Sequence, residues 1–142
     1  MFDPGYPVID ATLAKDGDKC YLFFKDERGG TRGINSAGGK KNIHSAQSNG
    51  PEGPWKNISA AIFGESSSDI FRNAAEGPEL IKVGKYWHLY MDLYRQNKFA
   101  LFISESLDGP WERVRWKLRM PPGAQHGSFL KVKFADIEGL KP

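Results

Sequence analysis

Residues 10–26 read DATLAKDGDKCYLFFKD, and residues 76–92 read EGPELIKVGKYWHLYMD. Set side by side with one gap, Lys19 meets Lys85, Tyr21 meets Trp87 and Asp26 meets Asp92. Each copy runs on into a further element, NIHSAQSNGPEGPWKNI in the first and FALFISESLDGPWERV in the second. There Ser48 falls opposite Ser106, and Gly53-Pro54-Trp55 falls opposite Gly109-Pro110-Trp111. A third copy begins at His126 with HGSFLKVKF. The chain therefore reads as a repeat, and a period of this size points to stacked or radial units rather than to one irregular fold.

Within each copy the segments are short, rich in Tyr, Phe, Ile and Val, and divided by turn signals such as Asp16-Gly17 and Val83-Gly84, the pattern of strands. Residues 86–94 are almost continuously apolar, as in a strand covered on both faces. No segment carries an amphipathic helical period. Each Gly-Pro-Trp turn introduces a short outer strand, 55–58 and 111–114. The expected fold is all-β and propeller-like, with four-stranded antiparallel blades, about two of them plus the start of a third. The blade-like repeats cover about 6–62, 70–118 and 123–142 of a single partial propeller domain. The stretch ERGGTRGINSAGGKK is a Gly-rich loop inserted in the first, and 64–69 is a Ser-rich surface loop.

In such a fold the first strand of each blade lies nearest the axis. Asp10, Glu76 and His126 then converge on one face. The ends of the second strands, Lys25-Asp26 and Asp92-Leu93-Tyr94, return to that face. Trp55 and Trp111, at equivalent turns, belong to blade packing, and Trp87 and Tyr90 to the core.

Composition narrows the alternatives. The chain has 142 residues, enough for one domain, and 39% of them are hydrophobic. A net charge of +3 spread along the chain offers no basic block for nucleic acid. The lone cysteine, Cys20, permits no internal disulfide and no zinc spacing; among Tyr21, Leu22 and Phe23 it reads as a buried thiol. No apolar run approaches the ~20 residues of a membrane span. MFDPGYPVID lacks a basic-then-apolar leader, so localisation is open and would be cytoplasmic for a complete chain.

The segments VIDATLAKDGDKCYLFFKDE, AAEGPEL, KYWHLYMD, SESLDGPW and PPGAQHGSFLKV resemble glycoside hydrolase family 43. The resemblance covers nearly the whole chain. It implies blades of a five-bladed propeller and action on arabinose- or xylose-containing glycans, by inverting acid/base hydrolysis. Glu76 would be the general acid and Asp10 the group that tunes its pKa, a neighbouring carboxylate raising it by repulsion. Substrate contacts would come from His126, Gln125, Asp92, Asp26, Lys25 and Arg72. The family's Arg-His-Gly is Gln125-His126-Gly127 here, which removes the contacts of the Arg. No cofactor is required, although the resemblance places a calcium or water cluster near His126. The family's base lies on the blade preceding Asp10, and only nine residues precede Asp10 here. Asp3, in a Phe-Asp-Pro-Gly turn, is the sole upstream carboxylate and reads as a turn residue. Open sheet edges invite pairing with another chain, so a homo-oligomer completing the ring is expected. The other reading is a carbohydrate-binding remnant without catalysis.

Overall fold

The computed structural model describes residues 2–28, 41–63, 74–114 and 118–140. It is all-β, with two antiparallel sheets. The first is β1 (Val8–Asp16), β2 (Lys19–Asp26) and β3 (Ile43–Ser48); the second is β4 (Glu76–Val83), β5 (Tyr86–Leu93), β6 (Lys98–Ser104) and β7 (Glu112–Arg113). Strand order follows chain order in both. This is the up-and-down blade that the repeat predicts.

The hairpins form where glycine allows them. Gly17 and Gly84 take φ of +59° and +60° between β1 and β2 and between β4 and β5, and a two-residue hairpin needs positive φ at its first position. The expected outer strands are shorter than the sequence suggests. In the second blade only Glu112 and Arg113 pair with β6. In the first, 55–58 is reduced to one bridge, Gln47 to Lys56.

The ladders correct the repeat register by one residue. Asp16 pairs with Lys19, and Val83 with Tyr86. Glu76 is therefore the counterpart of Ile9, and Gly77 the counterpart of Asp10; both Asp10 and Gly77 sit at a bulge with φ +52°. Likewise Cys20 pairs with Ser48 and Trp87 with Ser104, so Ser48 matches Ser104 and not Ser106. Both hydroxyls accept a backbone amide two residues on, and both Gly-Pro-Trp turns follow them.

This register gives the blade order a physical basis. Leu22, Phe24, Ala46 and Trp55 form one face of the first blade. Their counterparts in the second, Leu89, Met91, Phe102 and Trp111, pack against the opposite face of the first, Tyr21, Phe23 and Ile43. Front meets back, as in radial packing. β2 is the strand buried throughout, from Cys20 to Asp26. β5 alternates instead: Trp87, Leu89 and Met91 are buried, while His88 and Tyr90 are half-buried. Polar contacts between the blades strengthen the union. Lys82 reaches Asp16 at 2.9 Å, the Trp87 indole donates to Asp16, and Tyr21 donates to Asp108 at 3.1 Å. Burial and that bond to Asp108 push the Tyr21 phenol up to about 12.

Among the described residues no second sheet lies on the first blade's Leu22–Phe24 face, which Phe2, Tyr6 and Val8 cover instead. That face opens onto a groove of about 620 Å³ bordered by Val8, Leu13, Leu22 and Trp55, with Leu13 and Ile9 exposed. The third repeat start adopts no strand: 118–133 run without ladder partners into one helical turn, α1 (Phe134–Ile137). A strand needs a hydrogen-bonded neighbour, and the residues after His126 turn into α1 instead of folding back. Asp3 accepts the Gly5 amide at 2.8 Å, in the local turn its sequence suggests. Among the described residues no helix is long and apolar enough to cross a membrane.

Candidate functional site

β1 and β4 lie side by side, and each is bulged near its start. The bulge matters chemically because it re-aims side chains that strict alternation would send elsewhere. Asp10, in the left-handed region, turns its carboxylate across to the second blade and accepts the Gly77 amide at 3.2 Å. Glu76, one residue earlier in its own blade, faces the same space. His126 arrives from the C-terminal segment. One ligand atom from each of Asp10, Glu76 and His126 lies within 4.8 Å of the others. An open pocket of about 350 Å³ is bordered by Asp10 and His126 together with Ala11, Gly77, Glu79 and Ser128, and Glu76 stands beside it without lining it. Asp10 and Glu76 do not occupy equivalent repeat positions, yet the bulge brings their carboxylates together.

Glu76 is held at both oxygens. Lys25 Nζ lies 2.7 Å from one and His126 Nε2 3.1 Å from the other. Burial pushes the Glu76 carboxyl up, but its bonds to Lys25 and then His126 outweigh burial and hold it below the usual range. The expectation that a neighbouring carboxylate would raise it is corrected, because the nearest strong partner is a cation. Asp92, paired with Glu76 across β4 and β5, is 3% exposed. Burial, then the Glu76 charge, pushes its carboxyl up. Glu79, deeper along β4, is also raised by burial, against weak donors from Ser128 and Thr12.

The other expected contacts separate. Lys25 reaches the site, but it is 3% exposed and engaged by Glu76 and Glu27, so it is a partner of the carboxylate rather than an open sugar contact. Asp26 lies on the opposite face of β2, as neighbouring strand residues must, and is bound by Arg28 at 2.6 Å. Gln125 is exposed and does not border the pocket. Arg72 and the 64–69 loop lie outside the described residues. Residues that sequence reasoning passed over are Glu27 and Lys41, whose ion pair stands behind Lys25. A lysine, Lys25, directly after the apolar run Tyr21–Phe24 was the available signal, since a buried ammonium needs a carboxylate.

The three-residue cluster does not fit calcium. Calcium takes six to eight oxygens, whereas this set offers an imidazole and a Glu76 already bonded at both oxygens, with an ammonium beside it. Gly77 explains why the imidazole can approach: a Cβ there would stand 2.9 Å from the His126 ring. Gly77→Ala is expected to displace His126, because the strained backbone also resists a side chain. A loss of the His126 imidazole's response to Glu76 protonation in NMR would show it; an unmoved ring would refute this account.

A family model described as "Probable glycosyl hydrolase domain", related to family 43, matches residues 1–138. The chain belongs to this family. No curated protein matches this family-43-related chain. Among solved structures it is similar to a family 117 glycoside hydrolase of the marine bacterium Zobellia galactanivorans, at 23% identity and TM-score 0.58, covering 77% of this chain and 32% of that one. It is also similar to an endo-1,4-beta-xylanase from Bacteroides thetaiotaomicron, at 23% identity and TM-score 0.55, covering 80% and 38%. A thermostable family-43 glycoside hydrolase follows at 18% identity and TM-score 0.50, covering 82% and 40%. The chain thus spans 32–40% of the length of these structures, and they support its propeller-blade fold.

Proposed function

We propose that this chain carries the acid-side half of a glycoside-hydrolysing pocket for arabinose- or xylose-containing glycans. Glu76 is the proton-transferring carboxylate in this reading, and Asp10 holds its geometry. The observation that carries it is the meeting of Asp10, Glu76 and His126 within 4.8 Å, from two blades and the C-terminal segment, beside an open pocket. Asp10 is not the base. Inverting hydrolysis places its two carboxyl groups ~6.5–9.5 Å apart to admit water, and this pair is closer. The base would come from across the pocket, supplied by a second copy of the chain or by further blades of a longer protein. The exposed Ile9 and Leu13 on the groove side of the first blade support that part of the reading, and a homodimer or larger ring is the expected state. Light scattering at increasing concentration should show the mass rise; a monomer at every concentration would remove this part. Turnover of nitrophenyl arabinofuranoside and xyloside tests the activity.

A second reading is favoured by the low-lying Glu76: a carboxylate held ionised by Lys25 is a good sugar hydrogen-bond acceptor and a poor proton donor. Saturable binding of arabino- or xylo-oligosaccharides without turnover would select it.

A further inference from the structure

Four alternating charges stand in series beside the pocket: Glu76, Lys25, Glu27 and Lys41. Lys25 occupies the centre. It donates to Glu76 at 2.7 Å and stands 3.1 Å from Glu27 Oε2. That Glu27 oxygen is buried and accepts no well-aligned hydrogen bond, so it attracts Lys25 by charge. Lys41 engages the other Glu27 oxygen. The Tyr94 ring lies 4.8 Å from the Lys25 ammonium, closing its remaining side.

We propose that Lys25 is the positioning residue of this pocket: its buried ammonium fixes one oxygen of Glu76, turns the other to His126, and must give way before Glu76 can carry a proton. The proposal deepens the reading of Glu76 as the proton-transferring group and rests on it. Burial alone would push the ammonium down; its bond to Glu76 and its pairing with Glu27 outweigh that and hold it up. Lys25 therefore stays charged across the whole range in which Glu76 titrates. The groups facing Glu76 are Asp10 from β1, Lys25 from β2, Asp92 from β5 and His126 from the C-terminal segment. Of these only Lys25 is a permanent cation at neutral pH, and it makes the shorter contact. A lysine free to bind sugar would project into the pocket; this one is 3% exposed and anchored from behind.

The test is a carboxyl ¹³C NMR titration of Glu76 in the full chain without substrate. Removing an adjacent opposite charge should raise a carboxylate midpoint by about 1–3 pH units. Lys25→Met is expected to raise the Glu76 midpoint by at least the lower figure, while Lys25→Arg keeps it low. An unchanged midpoint in Lys25→Met would overturn the proposal. Should that variant not fold, the unsubstituted protein decides: the Lys25 Nζ ¹⁵N resonance must move with the Glu76 midpoint, and an independent Lys25 resonance overturns it equally. Neither measurement needs turnover. A chain that hydrolyses nothing can therefore pass, and an active chain can fail.

Discussion

Replacing Glu76 by Gln is expected to lower hydrolysis of unactivated arabino- and xylo-oligosaccharides by roughly 10²–10⁴-fold, the usual contribution of a positioned acid or base. Glutamine keeps the shape and can still accept from Lys25 at its carbonyl oxygen, but it has no proton to deliver to a leaving alcohol. Nitrophenyl glycosides should lose much less, because nitrophenolate leaves with little protonation. That split between substrates identifies proton transfer rather than binding, since a binding defect would reduce both alike. The pH profile adds an independent arm. Glu76 lies below its ordinary value in the substrate-free chain, so at neutral pH it is ionised, and an acid role needs a proton gained as the hold of Lys25 is relaxed. A rate on oligosaccharides that rises as pH falls, and whose rise disappears in Glu76→Gln, is the expected result. A Glu76→Gln enzyme with the original rate on both substrate types would end the assignment.

Much of this was legible in the chain itself, for identifiable reasons. The Gly-Pro-Trp turns and hairpin glycines are positions where backbone geometry restricts the residue, so their recurrence reported real structural equivalence. The alignment slipped where it trusted Lys19 with Lys85 and Asp26 with Asp92. Nothing forces a charged side chain at a strand end to recur, whereas Gly17 and Gly84 must both take positive φ. The convergence of Asp10 and Glu76 was expected on the wrong ground, repeat equivalence, and comes about through the bulge at Asp10. The direction of the Glu76 shift was missed because its partner lies 51 residues away and only the sheet arrangement brings it close. Reading a carboxylate from its carboxylate neighbour alone omits the stronger charge. The third repeat start looked like a strand because its composition is right; pairing, which composition does not report, is what it lacks.

Phe23→Ala is expected to be the most costly core substitution, at about 3–5 kcal/mol, against a total of roughly 5–15 kcal/mol for a domain. Phe23 is fully buried on β2, meets Trp111 edge-on at 5.8 Å, and belongs to the cluster with Ile43, Leu89 and Met91. Truncation leaves a void between two sheets whose backbones are fixed by their own ladders and cannot close in. Leu13→Ala, on the uncovered side of β1 and 53% exposed, supplies the contrast and should stay within about 0.5 kcal/mol. Denaturant unfolding of both variants measures the difference. It also tests the blade order directly, because the two residues would exchange ranks if the first blade met the second by its other face. Equal losses for Phe23→Ala and Leu13→Ala would mean that the sheets do not pack front to back, and with that the path that carries Lys25 to Glu76 would be gone.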